Sequence, residues 1–168
     1  MKVILFSLLL FAFANINFAQ DKIFILMRHA EKDVSPTADK ANPNLTEAGK
    51  KRAEKLLEVV KKYRPDEIFS TNFIRTRDTV TPSAINLYDK YRLQIQIYDH
   101  TELDELAKNL LASKSKTFVI VGHNTTTPML ANILAKEDKF NALDESEYDK
   151  IFIIKIKKKQ ITSEKIVY

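Results

Sequence analysis

The sequence predicts an α/β fold: a three-layer sandwich with a mostly parallel central sheet, helices on both faces and a C-terminal hairpin. Residues 23–27 and 118–121 are unbroken apolar runs, which is typical of parallel strands buried on both faces. Segments with helical periodicity alternate with these runs, as they do where helices cover a sheet. Residues 151–156 and 161–168 have the pattern of two strands joined by a lysine-rich turn.

Two shorter strands and three amphipathic helices complete the predicted order. The shorter strands cover residues 67–69 and 93–98. The first helix begins near Thr46, whose side chain suits the N-cap position, and Pro65 lies beyond its end. We interpret the apolar stripes of all three helices as core packing. The stripe residues are Ala53, Leu56, Leu57 and Val60 in the first helix, Leu103, Leu106, Ala107, Leu110 and Leu111 in the second, and Met129, Leu130, Ile133 and Leu134 in the third.

The first 19 residues predict a secretory signal peptide ahead of a domain that covers residues 20–168. Lys2 precedes an apolar run of about a dozen residues, which is shorter than the roughly 20 residues that span a bilayer. We expect cleavage after Ala19 and export to the periplasm or the medium. The alternative is an uncleaved anchor. After cleavage, no stable insertion in a membrane is expected.

Composition excludes several classes of protein. The 168 residues are 45% hydrophobic and 29% charged, which fits one globular domain, and they include no cysteine. Disulfide frameworks and thiolate metal sites are therefore excluded. The two glycines cannot form a P-loop or a dinucleotide fingerprint, so no nucleotide cofactor is expected. A net charge of +5 from interspersed residues is a weak signal for nucleic acid, although a scaffold that binds through residues 155–159 stays an alternative.

Histidines and arginines follow three of the predicted strands. Arg28 and His29 follow the first strand, Arg75 lies in a helix start after the second, and His123 follows the strand at 118–121. Because ligands bind outside the carboxyl ends of parallel strands, these side chains are expected to share one site. Arginine forks match phosphate oxygens, and a neutral histidine among arginines is available as a nucleophile. A metal site would need nearby carboxylates and would be repelled by the arginines, so no metal is expected.

Four segments carry a family resemblance. Residues 28–31 (Arg-His-Ala-Glu) resemble the Arg-His motif of the histidine phosphatase superfamily, which includes the phosphoglycerate mutases. Residues 45–49, 70–79 and 121–124 resemble three further motifs of that family, in the same order and spacing. The resemblance implies a metal-independent phosphatase without cofactors, in which His29 attacks phosphorus and carries a transient phosphohistidine. Arg28, Arg75 and His123 would bind the phosphoryl oxygens of a small phosphorylated substrate.

The general acid stays open at the level of sequence. Many relatives carry this carboxylate in an insertion that the present chain lacks. Glu102 is our candidate, with Asp99 and Glu31 as alternatives, although Asp99 is also suited to capping the following helix. His100 is expected either at the mouth of the pocket or in a solvated loop.

Two alternative functions remain beside a phosphomonoesterase. Without an assured acid, a phosphohistidine phosphatase is one alternative, because a phosphoramidate is less demanding to cleave. A phosphoryl-ligand binding domain without turnover is the other.

Overall fold

A computed structural model describes residues 20–158 and 160–168, so the predicted signal peptide at 1–19 lies outside the described residues. Within that part, six strands and four helices follow one another. The strands are β1 (Lys22–Arg28), β2 (Glu67–Ser70), β3 (Ile95–Ile97), β4 (Thr117–Gly122), β5 (Lys150–Lys157) and β6 (Gln160–Val167). The helices are α1 (Glu47–Tyr63), α2 (Ile74–Tyr91), α3 (Leu103–Ala112) and α4 (Thr126–Ala135). Within the described ranges, no helix is both long enough and apolar enough to pass through a bilayer.

All six strands form one mixed sheet in the order β3-β2-β4-β1-β5-β6. The first four are parallel to one another, and β5 and β6 add an antiparallel hairpin beside β1. The prediction of a mostly parallel centre with a C-terminal hairpin is thereby confirmed. The apolar runs of β1 and β4 lie at the centre of the sheet, and residues 24–27 and 118–121 are fully buried because helices cover both of their faces.

Helices on both faces divide the core into two clusters. Phe24 and Phe118 point to the face covered by α3 and α4, and their rings stack with centroids 5.1 Å apart. Their neighbours in sequence, Ile25 and Val119, point to the face covered by α1 and α2. This alternation follows from the two-residue period of a strand. The predicted three-layer sandwich is confirmed.

The start of α1 is fastened to the chain segment that follows β1. Thr46 is the N-cap as predicted, and its Oγ1 accepts a hydrogen bond of 3.0 Å from the Gly49 backbone N–H. The Glu31 carbonyl oxygen in turn accepts a bond of 2.9 Å from the Thr46 backbone N–H. A Cβ atom at Gly49 would lie 2.3 Å from that same oxygen. The glycine is therefore required by close approach and not by its backbone angles.

The third strand is shorter than the predicted range of 93–98. Arg92 caps the end of α2 in the left-handed conformation, with φ of 57°, and Leu93 is buried in the turn that follows. Pairing with β2 therefore begins only at Ile95. Leu93 and Tyr98 are buried at the two ends of this range, whereas Ile97 is 52% exposed, and only Ile95–Ile97 pair with β2.

Candidate active site

Strand register brings the two predicted histidines together at the carboxyl edge of the sheet. Arg28 lies opposite Gly122 in the parallel ladder between β1 and β4. The His29 backbone N–H donates a hydrogen bond of 3.0 Å to the Gly122 carbonyl oxygen. The rings of His29 and His123 then meet edge to face, with centroids 5.6 Å apart. Two motifs that are 94 positions apart in sequence therefore form one site.

The ring of His29 is buried, with only 3% of the residue exposed. Its Nδ1 lies 2.8 Å from the Ala30 carbonyl oxygen. Since a carbonyl oxygen only accepts, Nδ1 carries the proton and Nε2 keeps its lone pair. Burial lowers the pKa of His29 to about 3; the Ala30 carbonyl opposes the shift, and the charges of Arg28 and Arg75 add to it. His29 is therefore neutral at pH 7, with Nε2 in the form that a nucleophile needs.

His123 is half-buried beside His29. Its Nε2 lies 3.1 Å from Thr71 Oγ1, in the segment that follows β2. Burial lowers the pKa of His123 to about 4, and the nearby cations Arg75 and Arg28 contribute to the shift. The second histidine is therefore also neutral at pH 7 when no anion occupies the site.

Arg28 is almost completely buried and is held by the loop at 144–148. Its Nη1 donates to the carbonyl oxygens of Asp144, Glu145 and Glu147, at 2.8, 3.1 and 3.2 Å. Its Nη2 donates to the Glu145 carboxylate at 2.8 Å, and its guanidinium lies 4.1 Å from the centre of the Tyr148 ring. Its buried Nε has no hydrogen-bond partner. The loop therefore fixes the direction of the fork and leaves one N–H unused.

Arg75 lies in the first turn of α2 and stacks on Phe73, with 4.4 Å between its guanidinium carbon and the ring centre. Its Nε and Nη1 are buried and have no hydrogen-bond partner. Thr79 lies one turn later and joins this helix to the segment that follows β1. Its Oγ1 accepts a hydrogen bond from the Ala30 N–H at 2.8 Å and donates one to the Arg75 carbonyl at 2.7 Å. Buried donors without partners cost about 1–3 kcal/mol each, so the site favours a ligand that brings acceptor oxygens.

One cavity of about 250 Å³ at the carboxyl edge of the sheet is lined by the two histidines and two arginines described above, Arg28, His29, Arg75 and His123. Lys32, Phe73, His100, Asn124 and Glu145 also line it. Phe73 and Asn124 lie inside two of the motifs and Lys32 directly follows a third, so their positions in sequence could have suggested them. No sequence pattern marks Glu145, which reaches the cavity from a distant loop.

The carboxylates predicted as general acids lie elsewhere. Glu102, the residue before α3, and Asp99 line a separate groove of about 480 Å³ between that helix and β3. Asp99 Oδ1 accepts from the Thr101 N–H at 2.9 Å, which closes a turn ahead of α3. The N-cap of that helix is Glu102, so the suggested capping of α3 by Asp99 is wrong. Glu31 accepts 2.7–2.9 Å hydrogen bonds from Arg52. Burial alone would raise the pKa of Glu31, but the bonds from Arg52 outweigh it and lower the pKa overall.

None of these three carboxylates lines the cavity that holds His29, whereas His100 does. Within residues 20–158 and 160–168, no group of three or more histidine, aspartate or glutamate side chains is arranged to hold a metal ion. Arg28, Lys32 and Arg75 bring positive charge to this cavity, and Glu145 is the carboxylate that lines it.

The fold is similar to that of several solved phosphatases. A protein of Agrobacterium tumefaciens, provisionally assigned as the phosphohistidine phosphatase SixA, gives a TM-score of 0.59 at 21% identity, over 79% of this chain and 90% of that one. The α-ribazole phosphatase of Shigella flexneri gives a TM-score of 0.67 at 13% identity, over 87% of this chain and 96% of that one. A mycobacterial glucosyl-3-phosphoglycerate phosphatase with inorganic phosphate gives 0.63 at 16% identity, over 88% and 96%. At these identities the likeness shows a shared fold alone.

No curated protein matches the sequence. A sequence model of the histidine phosphatase superfamily, branch 1, matches residues 24–107, which is half of the chain. The match includes the Arg28-His29 pair and the segment around Arg75, and it ends before His123. The family resemblance of the motifs is thereby confirmed, and the chain belongs to branch 1 of the histidine phosphatase superfamily.

Proposed function

We propose that the protein is a phosphomonoesterase that acts through a phosphohistidine on His29. The observation that carries this proposal is the neutral, buried imidazole whose Nδ1 is tied to the Ala30 carbonyl, beside the unpartnered N–H groups of Arg75. Nε2 attacks phosphorus, the bond from phosphorus to the leaving oxygen breaks, and the electron pair stays on that oxygen. Water then attacks the phosphohistidine, the phosphorus–nitrogen bond breaks, and inorganic phosphate leaves.

Arg28, Arg75 and His123 are proposed to bind the phosphoryl oxygens and to stabilise the charge that develops on them. Both arginines line the cavity, and the Nε atom of each is a donor without a hydrogen-bond partner. Because the guanidinium groups are permanently charged, they stabilise a phosphoryl transition state without a metal ion. We therefore propose that activity is independent of metal and of cofactors.

The proposed substrate is a small phosphorylated molecule. A cavity of about 250 Å³ is ample for a phosphoryl group and leaves room for only a small part of a leaving group. Lys32 adds a positive charge at this cavity. Nucleic acid is not proposed as a partner.

A second candidate is phosphohistidine phosphatase activity. The observation that favours it is that Glu102, Asp99 and Glu31 all lie outside the cavity. Cleavage of a phosphoramidate makes a smaller demand on a general acid than cleavage of an alkyl ester does. The solved SixA protein, with which the chain shares its fold, carries that activity in its name.

The experiment is hydrolysis of 4-nitrophenyl phosphate by residues 20–168 in excess chelator. We expect turnover by the wild type and a loss of at least about 10³-fold in kcat for His29→Ala, because the nucleophile is removed. Arg75→Ala should lose about 10²–10³-fold. Arg77→Ala is the matched control, because Arg77 donates to Asn72 and does not line the cavity.

Other outcomes identify the alternatives. Turnover that requires a metal and survives His29→Ala contradicts the proposed chemistry. Binding of inorganic phosphate without turnover of any phosphate ester indicates a phosphoryl-ligand binding domain. Turnover of phosphohistidine far above that of phosphate esters favours the second candidate.

We further infer that residues 1–19 direct export and are removed. The support is the sequence pattern of a lysine followed by a short apolar run. Expression of the full chain, fractionation of the cells and N-terminal sequencing of the product test this inference. A protein that begins at Gln20 and lies outside the cytoplasm is expected, whereas an intact Met1 in the membrane fraction indicates an anchor.

A further inference from the structure

His100 lines the cavity that holds His29 and is partly exposed to solvent. It belongs to the loop between β3 and α3, and its ring lines the same cavity as His29. The ring centroid lies 5.3 Å from that of His123 and 5.8 Å from that of Phe73. With 40% of its side chain exposed, the imidazole is open both to the cavity and to solvent. These contacts place a proton-carrying group at the mouth of the site.

We propose that His100 is the proton donor to the leaving oxygen in the phosphomonoesterase reaction, an assignment that rests on the function proposed above. An alkoxide is a poor leaving group, so its expulsion requires a proton at that oxygen. Imidazole is the side chain best suited to give and take a proton near neutral pH.

The other polar groups of the cavity are less suited to this step. His29 is the nucleophile, and His123 is neutral in the free site because burial lowers its pKa to about 4. The Glu145 carboxylate accepts from Arg28 Nη2 at 2.8 Å and from Asn124 Nδ2 at 3.1 Å, so both of its oxygens are engaged as acceptors. The ammonium of Lys32 releases a proton far less readily than an imidazolium does.

Several charged and titratable groups surround His100. Asp99, its neighbour in the same loop, places Oδ1 3.9 Å from the imidazole Nδ1. His123 after β4, Arg75 on α2, Arg28 on β1, Lys32 after it and Glu145 ahead of β5 line the same cavity. The imidazole of His100 therefore shares this cavity with the groups that are proposed to bind the phosphoryl oxygens.

The proton balances over both steps. As the bond between His29 Nε2 and phosphorus forms and the phosphorus–oxygen bond breaks, His100 gives its proton to the leaving oxygen, and an alcohol departs. Neutral His100 then takes a proton from the water molecule whose oxygen attacks phosphorus. The phosphorus–nitrogen bond breaks, and its electron pair returns to Nε2 of His29. Inorganic phosphate then leaves, and His100 is protonated again.

The test compares leaving groups. A nitrophenolate leaves without a proton, whereas the alkoxide of propyl phosphate does not. We expect His100→Gln to lower kcat/KM for propyl phosphate by about 10²–10⁴-fold and to change kcat/KM for 4-nitrophenyl phosphate by less than about fivefold. His100→Asn serves as a second variant, and retained phosphate affinity shows that the site is intact.

Glu102→Gln is the rival arm, and Glu105→Gln, an exposed carboxylate in the groove beside Glu102, is its control. The proposal is overturned if only Glu102→Gln, and not His100→Gln, lowers kcat/KM for propyl phosphate selectively. It is overturned as well if His100→Gln lowers kcat/KM equally for propyl phosphate and 4-nitrophenyl phosphate. It is also overturned if the wild type cleaves the aryl ester but not propyl phosphate. Failure of the wild type on every phosphate ester would instead contradict the proposed function itself.

Discussion

The burial that keeps the imidazole of His29 neutral makes the stability of the folded protein depend on pH. Its pKa in the folded protein is about 3, against about 6.5 in an unfolded chain, chiefly because the ring is buried. Between these two values the unfolded chain binds the extra proton and the folded protein does not. Stability therefore rises with pH through this window and falls as the solution is acidified. His123, whose pKa is about 4, acts in the same direction.

We expect His29→Gln to flatten the dependence of the Tm on pH between pH 7 and pH 5. Glutamine does not titrate, so the proton that unfolding takes up at this position is removed from the balance. Thermal unfolding of wild type and variant at several pH values in this range measures the effect. The difference between pH 7 and pH 8, above the unfolded pKa, is the internal control. Parallel curves for the two proteins from pH 7 to pH 5 would contradict the shifted pKa.

The unpartnered N–H groups of Arg75 predict how the protein responds to phosphate. A ligand that binds only the folded state stabilises it by about 2.7 kcal/mol at one hundred times its Kd, so inorganic phosphate should raise the Tm of the wild type. Arg75→Ala should remove most of this rise, and Arg77→Ala should keep it. An equal rise in all three proteins would indicate that phosphate binds outside the cavity.

At the scale of elements, the junction of α1 with the segment after β1 depends on a missing side chain. A Cβ atom at Gly49 would lie 2.3 Å from the Glu31 carbonyl oxygen, so either α1 or the segment that follows β1 would have to move. We expect Gly49→Ala to destabilise the fold by about 1–3 kcal/mol, even though alanine is the better helix former. Thermal unfolding measures this loss, with Lys55→Ala on an exposed turn of α1 as the control. A higher Tm for Gly49→Ala would show that the two segments adjust freely.

Most of the elements could be predicted because their signals are local. The unbroken apolar runs of β1 and β4 and the Thr46 cap are each read from a few neighbouring residues. The motif residues of the site were found for a related reason: parallel strands end at the same edge, so residues that follow them converge.

The position of His100, the proposed proton donor, and the loop around Arg28 could not be found in this way. The choice between the mouth of the pocket and a solvated loop for His100 depends on its contacts with Phe73 and His123, which join three separate segments. Glu102 follows His100 by only two positions, yet it faces the groove on the other side of the loop. Sequence spacing does not determine such directions outside regular helices and strands.

At the scale of the whole molecule, Tyr168 after β6 contacts α1 through the side chain of Arg52. The Tyr168 backbone N–H donates to the Asp149 carbonyl at 3.1 Å, and its ring faces the Arg52 guanidinium at 5.7 Å. That guanidinium in turn binds Glu31, two positions after His29, the proposed nucleophile. The end of the chain is thereby linked to its first functional segment through two side chains.

Deletion of Tyr168 is therefore expected to lower the free energy of unfolding by roughly 1–2 kcal/mol, because a largely apolar ring loses its packing. Val167→Ser, at a neighbouring position with 66% exposure, is the control and should change stability little. Denaturant unfolding of both variants measures the difference. Equal stability of the deletion variant and the wild type would show that the C-terminal contact does not contribute.

The way in which Arg28 is held has a consequence for divergence among relatives. Three of the acceptors around its guanidinium are main-chain carbonyl oxygens in residues 144–147, and every amino acid supplies such an oxygen. Exchange of the Asp144 or Glu147 side chain is therefore expected to leave the direction of the arginine unchanged, provided that the backbone path and the loop length persist. At these two positions the shape of the loop matters more for the arginine than the identity of the residue.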